Sequence, residues 1–275
     1  MSADRTPALR IDGATRLYAI VGDPIAQVRS PVVFSERFAA LGANAVLIPA
    51  QVPPAQFEAV FGALMALRNL DGLLVTVPFK PRAVPFAARL GKTAATIGAL
   101  NALRRETDGS WTGEMFDGAG FVRAVDAKGE RIRERRVALF GAGGAGSAIA
   151  CALAEARAAS IHLIDPFPGR TAALADKLAA AFPGCRFVTA TAVPEGTDMI
   201  VNASTVGMHA EDGLPGPIGT LDQGTLVGDV IVSEAPTALL RQAHERGCAT
   251  VNGREMLAGQ ADAIAAFFAA TLSRA

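Results

Sequence analysis

The sequence is poor in the residues that build metal centres and disulfide frameworks. Its three cysteines, Cys151, Cys185 and Cys248, are odd in number and scattered, with no C-x-x-C pair. That pattern argues against a disulfide scaffold and against a zinc site. The three histidines, His162, His209 and His244, stand far apart and near no acidic or cysteine cluster. No metal is expected, because zinc needs several converging N or S ligands. An excess of one charge is missing as well, since 26 basic residues balance 26 acidic ones. Neither nucleic acid nor an anionic membrane is therefore expected as a partner. Long uninterrupted apolar runs are also absent. The most apolar stretch, 137–154, contains four glycines and follows Arg135-Arg136. It reads as a strand, a turn and a buried helix, not a membrane span. Asp4, Arg5, Arg10, Asp12 and Arg16 break up the N-terminus, so no signal peptide is expected and the protein is placed in the cytoplasm.

What is present is core-forming material. Apolar residues make up 51% of the 275 positions and charged residues 19%. That composition suits one large or two ordinary globular domains. Short apolar runs alternate with helical patterns. Strands are expected at Leu17–Gly22, Ala45–Pro49 and Leu70–Pro78. A helix should begin at Ser30-Pro31, with serine as N-cap and proline in the first turn, and end at Gly42. Phe57 to Leu67 reads as helix, and Glu106 to Gly113 as a hairpin-like turn. From Arg136 the pattern restarts. Strands are expected at 137–140, 161–165, 199–202, 226–232 and 249–251, with helices near 144–158, 171–181, 236–247 and 259–272. Strands alternating with helices imply parallel sheets with covered faces.

The strongest local motif is Gly141-Ala142-Gly143-Gly144-Ala145-Gly146, a G-x-G-x-x-G placed after a strand and before a helix. The first glycine permits the tight turn, the second lets the backbone approach a pyrophosphate, and the third lets helix and strand pack closely. The helix N-terminus then offers N–H groups and a positive dipole end to phosphate. A glycine-rich structural turn, or a methyltransferase of similar topology, is the competing reading. The next strand ends in Asp165, whose carboxylate suits the ribose hydroxyls of NAD and repels the 2′-phosphate of NADP. NAD is therefore expected in preference to NADP.

Several further motifs, in order, resemble the shikimate/quinate dehydrogenase family. Val21-Gly22-Asp23-Pro24-Ile25-Ala26 leading to Ser30-Pro31 resembles its opening motif, and Gly72 through Val75-Thr76-Val77-Pro78-Phe79-Lys80 its lysine motif. Ile97-Gly98-Ala99-Leu100-Asn101 and Asp117-Gly118-Ala119-Gly120 resemble its I-G-A-x-N and D-G-x-G. The glycine loop, Asn202-Ala203-Ser204, Gly207-Met208 and finally Gly253, Met256 and Gln260 complete the series.

The resemblance implies an α/β protein with an N-terminal α/β substrate domain (1–116 with 253–275) and a Rossmann-type doubly wound nucleotide-binding domain (117–252), the active site lying in the cleft. It implies Lys80 and Asp117 as the catalytic pair. Ser30, Thr76, Asn101 and Gln260 would bind substrate. Asn202, Ser204, Val230, Gly253 and Met256 would join the glycine loop and Asp165 at the cofactor. The chemistry agrees, because oxidising a secondary alcohol needs a hydride acceptor and a group that takes the hydroxyl proton. The partner is then a small-molecule substrate, and the chain a monomer or homodimer.

Departures fall on the substrate pocket. Val28 replaces a serine of the family pattern, Leu74 an asparagine, Met115-Phe116 an Asn-Thr, and Val232 a tyrosine. Asp165-Pro166-Phe167 stands where NADP-binding members tend to carry Asn-Arg-Thr. A dehydrogenase of a shikimate- or quinate-like cyclic acid is the leading expectation. A dehydrogenase of a less hydroxylated alcohol and a non-catalytic NAD-binding regulatory protein are the alternatives.

Overall fold

The structure is a computed structural model and describes residues 11–209 and 211–272. Asp4, Arg5 and Arg10 lie outside the described residues. The chain divides into two compact units. The first holds residues up to 94, 98–115 and 261 onward, and the second holds 95–97 and 116–260.

In chain order the first unit runs β1 (Arg16–Gly22), α1 (Ser30–Ala40), β2 (Ala45–Gln51), α2 (Phe57–Met65), β3 (Leu70–Val75), β4 (Arg89–Leu90), the start of α3 (Lys92–Ile97), β5 (Ala102–Arg105) and β6 (Trp111–Glu114). The sheet order is β2-β1-β3-β5-β6-β4. β1 pairs in parallel with β2 and β3, whereas β5 and β6 form an antiparallel hairpin against β3. The sheet is thus mixed and not wholly parallel. Its polar turn at 106–110 is too short to carry a crossover helix. Tyr18 packs on Phe38 and Phe268 at ring-centroid distances of 4.7 and 4.9 Å. A second aromatic cluster stacks Phe57 on Phe79 at 4.2 Å.

The second unit runs α4 (Asp117–Ala127), β7 (Arg136–Phe140), α5 (Gly144–Glu155), β8 (Ser160–Ile164), α6 (Pro168–Ala181), β9 (Arg186–Thr189), β10 (Met199–Asn202), β11 (Leu226–Asp229), α7 (Ala238–Glu245), β12 (Thr250–Val251) and the first residues of α8 (Gly253–Leu272). Its sheet, β12-β11-β10-β7-β8-β9, is parallel throughout. The chain winds outward from β7 to β9, returns beside β7 as β10, and winds outward again. The strand order therefore reverses between β7 and β10, the switch point at which such sheets bind ligands. Val137, Leu139, Ile161, Leu163 and Val201 are fully buried on this sheet, as strands covered on both faces should be.

Several expectations differ from the structure. Arg29, not Ser30, is the N-cap of α1, and no side chain caps that helix. The strand expected to reach Val232 stops at Asp229, where a carboxylate closes the apolar run. α8 begins six residues before Gly259. α4 carries two glycines in its first turn and β9 is only four residues long, so neither stood out by periodicity.

Gly72 shows how tight the first core is. A Cβ there would lie 2.6 Å from Tyr18 and 2.7 Å from Phe268, whereas one at Gly169, in the first turn of α6, would meet nothing within 4 Å. Gly72→Ala should destabilise the protein by roughly 1–3 kcal/mol through overpacking. Gly169→Ala should be neutral or stabilising by up to about 1 kcal/mol. Thermal and denaturant unfolding of the two variants checks both signs.

Candidate active site

In the first unit, Ser30, Thr76, Lys80 and Asn101 all stand at the same edge of the sheet. β1 and β3 end there, α1 begins there, and antiparallel β5 starts there. Ser30 and Asn101 are buried. The backbone around them is tied down: Thr76 N donates to Val21 O at 2.9 Å, Val75 N to Asn101 O at 2.8 Å, and Asn101 N to Glu114 O at 3.1 Å. Lys80 is anchored from both sides. Phe79 before it is fully buried in the aromatic cluster, and Leu100 N donates to Lys80 O at 3.1 Å. Of the positions that depart from the family pattern, Leu74 and Met115 are buried and Val28 is half-buried.

In the second unit, Asp117 opens α4 and is buried. Gln260 Nε2 donates to its Oδ1 at 2.6 Å. The glycines of the D-G-x-G motif allow this placement. A Cβ at Gly118 would lie 2.2 Å from Ala148 O on α5, and one at Gly120 would lie 2.7 Å from Met256 O and from Gln260 Cβ. α4 therefore rests backbone-close on α5 and on the first half of α8, which fixes Asp117 against Gln260.

The glycine loop connects β7 to α5. Gly141 has φ +92°, and a Cβ on it would press on Ala203 and Ser204 N at 2.8 Å. A Cβ at Gly146 would lie 1.8 Å from Gly141 O, so helix and loop can meet only as glycine. At Gly143 a Cβ would meet nothing within 4 Å. Gly143 is exposed, and α5 has no side-chain cap. Open space in front of uncapped helical N–H groups fits a pyrophosphate, and the loop fits a dinucleotide on that observation. Asn202 and Ser204 lie next along the same sheet edge, with Ser204 Oγ donating to Asn202 Oδ1 at 2.7 Å. Gly253 packs on the backbone of Val230 and Ile231, where a Cβ would lie 2.5 Å away, and Met256 is buried one turn further along α8.

Two features of this edge were not foreseen. Asp229 is buried, and Ile231 N, Thr237 Oγ1 and Asn202 Nδ2 donate to its carboxylate at 3.0, 2.7 and 3.2 Å. Its signal in the sequence was a single acidic residue inside the apolar run 226–232. Arg170, in the first turn of α6, stacks over the Phe167 ring at 4.4 Å. It lies beyond the Asp165-Pro166-Phe167 stretch.

Residues 20–103 match the family described as shikimate dehydrogenase substrate binding domain. Over 252 residues the chain is 37% identical to the shikimate dehydrogenase (NADP(+)) of Rubrobacter xylanophilus, which covers 90% of this chain and 88% of that one. Among solved structures it is similar to shikimate dehydrogenase from Aquifex aeolicus, with TM-score 0.83, 29% identity and 94% of each chain covered. It is also similar to the 5-ketofructose reductase of a Gluconobacter strain, with TM-score 0.82, 25% identity and 92% of each chain covered.

These relatives overturn the expected preference for NAD, because the curated ones are NADP(+) enzymes. Ala142 N donates to Asp165 Oδ2 and Phe167 N to Asp165 Oδ1, both at 2.9 Å. The carboxylate works as a tie between the glycine loop and the segment after β8, with both oxygens taking backbone amides.

Burial raises the Asp229 carboxyl above its ordinary value of 3.8. Its hydrogen-bond partners, Asn202, Thr237 and the Ile231 amide, are all neutral. A raised carboxyl binds its proton more tightly in the folded chain than in the unfolded one. Its contribution to stability is therefore fully present below about pH 4 and is lost as pH rises through the raised value. Comparing unfolding free energies of wild type and Asp229→Asn against pH should show the difference between them drifting against wild type as pH rises from about 4. A constant difference would contradict the assignment.

Proposed function

The chain belongs to the shikimate dehydrogenase family, and we propose that it catalyses reversible hydride transfer between a nicotinamide dinucleotide and a ring hydroxyl or ketone of a shikimate- or quinate-like cyclic acid in the cytoplasm. The observation that carries the reading is Asp117, buried and held at 2.6 Å by the Gln260 amide on a helix set by glycine contacts. A carboxylate kept out of water costs stability unless it is well partnered, and this one stands in the motif where the family places an acid. When bound, the dinucleotide supplies the hydride acceptor for alcohol oxidation.

The chain's own residues then do the rest. Lys80 takes the proton from the reacting hydroxyl, and Asp117 orients substrate and lysine together. Ser30, Thr76, Asn101 and Gln260 supply hydrogen bonds to the remaining polar groups. Gly141 to Gly146, with the N-terminus of α5, cradle the pyrophosphate. Asp165, Asn202, Ser204, Val230, Gly253 and Met256 line the rest of the dinucleotide. We assign the substrate domain to 1–116 with 253–275 and the nucleotide domain to 117–252, the first two turns of α8 packing with the second unit; the matched substrate-binding family supports the first of these. The idle regulatory reading is disfavoured because Lys80 and Asp117 are both present.

Lys80→Ala should lower kcat by ~10²–10⁴-fold while leaving the dinucleotide Kd unchanged, and Asp117→Asn should give a smaller loss of the same kind. Full activity without Lys80 would refute its role. Steady-state kinetics and calorimetric binding separate the two quantities. On the substrate side, the apolar Val28, Leu74, Met115, Phe116 and Val232 should raise KM for shikimate, since each missing partner costs roughly 1 kcal/mol or more. Val28→Ser with Leu74→Asn should lower that KM. A micromolar KM in wild type would contradict this view of the pocket.

A further inference from the structure

A buried polar cluster spans the ends of β10 and β11, and the roles given so far leave its centre unused. Asp229 and Asn202 are each 1% exposed, and Thr237 is also buried. Asn202 Nδ2 donates to both Asp229 oxygens at 3.2 Å and to Val206 O at 2.8 Å. Asn202 Oδ1 accepts from Ser204 N at 3.1 Å and from Ser204 Oγ at 2.7 Å, and Val206 N donates to Ser204 Oγ at 3.2 Å. Asp229 Oδ1 accepts from Ile231 N at 3.0 Å and Oδ2 from Thr237 Oγ1 at 2.7 Å. The same Thr237 oxygen accepts from Leu240 N at 3.3 Å and so caps α7. One carboxylate therefore fixes the loop after β10, the loop after β11 and the start of α7.

These loops sit at the carboxyl edge of the sheet, on the far side of β7 from β8. The glycine loop after β7 takes the pyrophosphate, and Asp165 at the end of β8 marks the adenosine side. The reacting ring must then lie toward β10 and β11. The loop after β10 also touches the glycine loop, since a Cβ at Gly141 would strike Ala203 and Ser204 N at 2.8 Å.

We infer that Asp229 is a positioning residue for hydride transfer, which through Asn202 and Thr237 sets the two loops that hold the nicotinamide end of the dinucleotide. The inference rests on the dehydrogenase reading above. It differs from a purely structural role in what it disturbs. Loss of the cluster should misplace the ring end by a fraction of an ångström to an ångström and leave the pyrophosphate grip intact. A displacement of that size can cost on the order of 10²-fold in rate.

The test uses the full chain with Thr237→Val, which keeps the side-chain shape, and Thr237→Ser, which keeps the hydroxyl; Asp229→Asn is the second probe. In Thr237→Val, kcat with NADP+ and shikimate should fall ~10–100-fold, while the NADP+ Kd moves by less than about threefold. The primary isotope effect on kcat with deuterated shikimate should rise, because hydride transfer becomes slower than product release. Without any dinucleotide present, hydrogen exchange at the amides of Ile231 and Val206 should accelerate. Thr237→Ser should restore all of these. Wild-type turnover with an unaffected kcat in Thr237→Val overturns the inference alone, as does a parallel loss of Kd, melting temperature and kcat. Absence of wild-type turnover overturns the dehydrogenase reading and this inference with it.

Discussion

The second unit depends on backbone touching backbone at glycine. Gly146 lies against the carbonyl of Gly141, Gly118 against that of Ala148, and Gly120 against that of Met256. Each contact would push a Cβ to 1.8–2.7 Å from its neighbour, well inside van der Waals distance. Through the first contact, α5 can start directly at the end of β7 with its N–H groups facing open space. Through the other two, α4 lies on α5 and α8, and Asp117 reaches Gln260. The open N-terminus of α5 and the buried acid are thus two results of one packing rule. A single methyl group at Gly146 would disturb the first, and one at Gly118 or Gly120 the second.

Polar burial elsewhere shows why the edge matters more than the mere presence of a buried acid. Asp71 is also buried, yet Arg16 meets it with a hydrogen bond from Nε to Oδ2 at 2.7 Å and a second ion pair through Nη2. Both stand at the beginning of strands, opposite the loops that carry Lys80 and Asn101. An arginine fork that satisfies a carboxylate in this way is a structural device. Asp229 instead takes neutral amide, hydroxyl and backbone donors at the end where β11 feeds into its loop. Open α/β sheets bind their ligands at that edge.

Much of this was legible in the sequence because its causes are local. The apolar runs of β1, β3, β7 and β8, and the glycine loop with its strand and helix, follow from neighbours within a few residues. The D-G-x-G motif was legible as a motif, but α4 was not legible as a helix. Its first-turn glycines depress helix propensity, and the helix is held by contacts more than a hundred residues away, at Met256 and Gln260. The same distance hid the true length of α8. Asp165 misled because a lone carboxylate at a strand end suggests ribose recognition. Only the fold shows its oxygens already taken up by the amides of Ala142 and Phe167. Asp229 stands in the sequence as a lone acid within the apolar run 226–232, with nothing local to show that the strand ends on it. Its partners Asn202 and Thr237 come together only when β10 and β11 pair.

The central claim is that the chain moves a hydride between a nicotinamide dinucleotide and a cyclic hydroxy acid. The most direct measurement is absorbance at the reduced-nicotinamide band after mixing the full chain with NADP+ and, in turn, shikimate and quinate. The expected result is enzyme-dependent, saturable formation of reduced dinucleotide that reverses when the corresponding ketone is supplied. Tight binding of NADP+ with no reduction by either acid would contradict the claim.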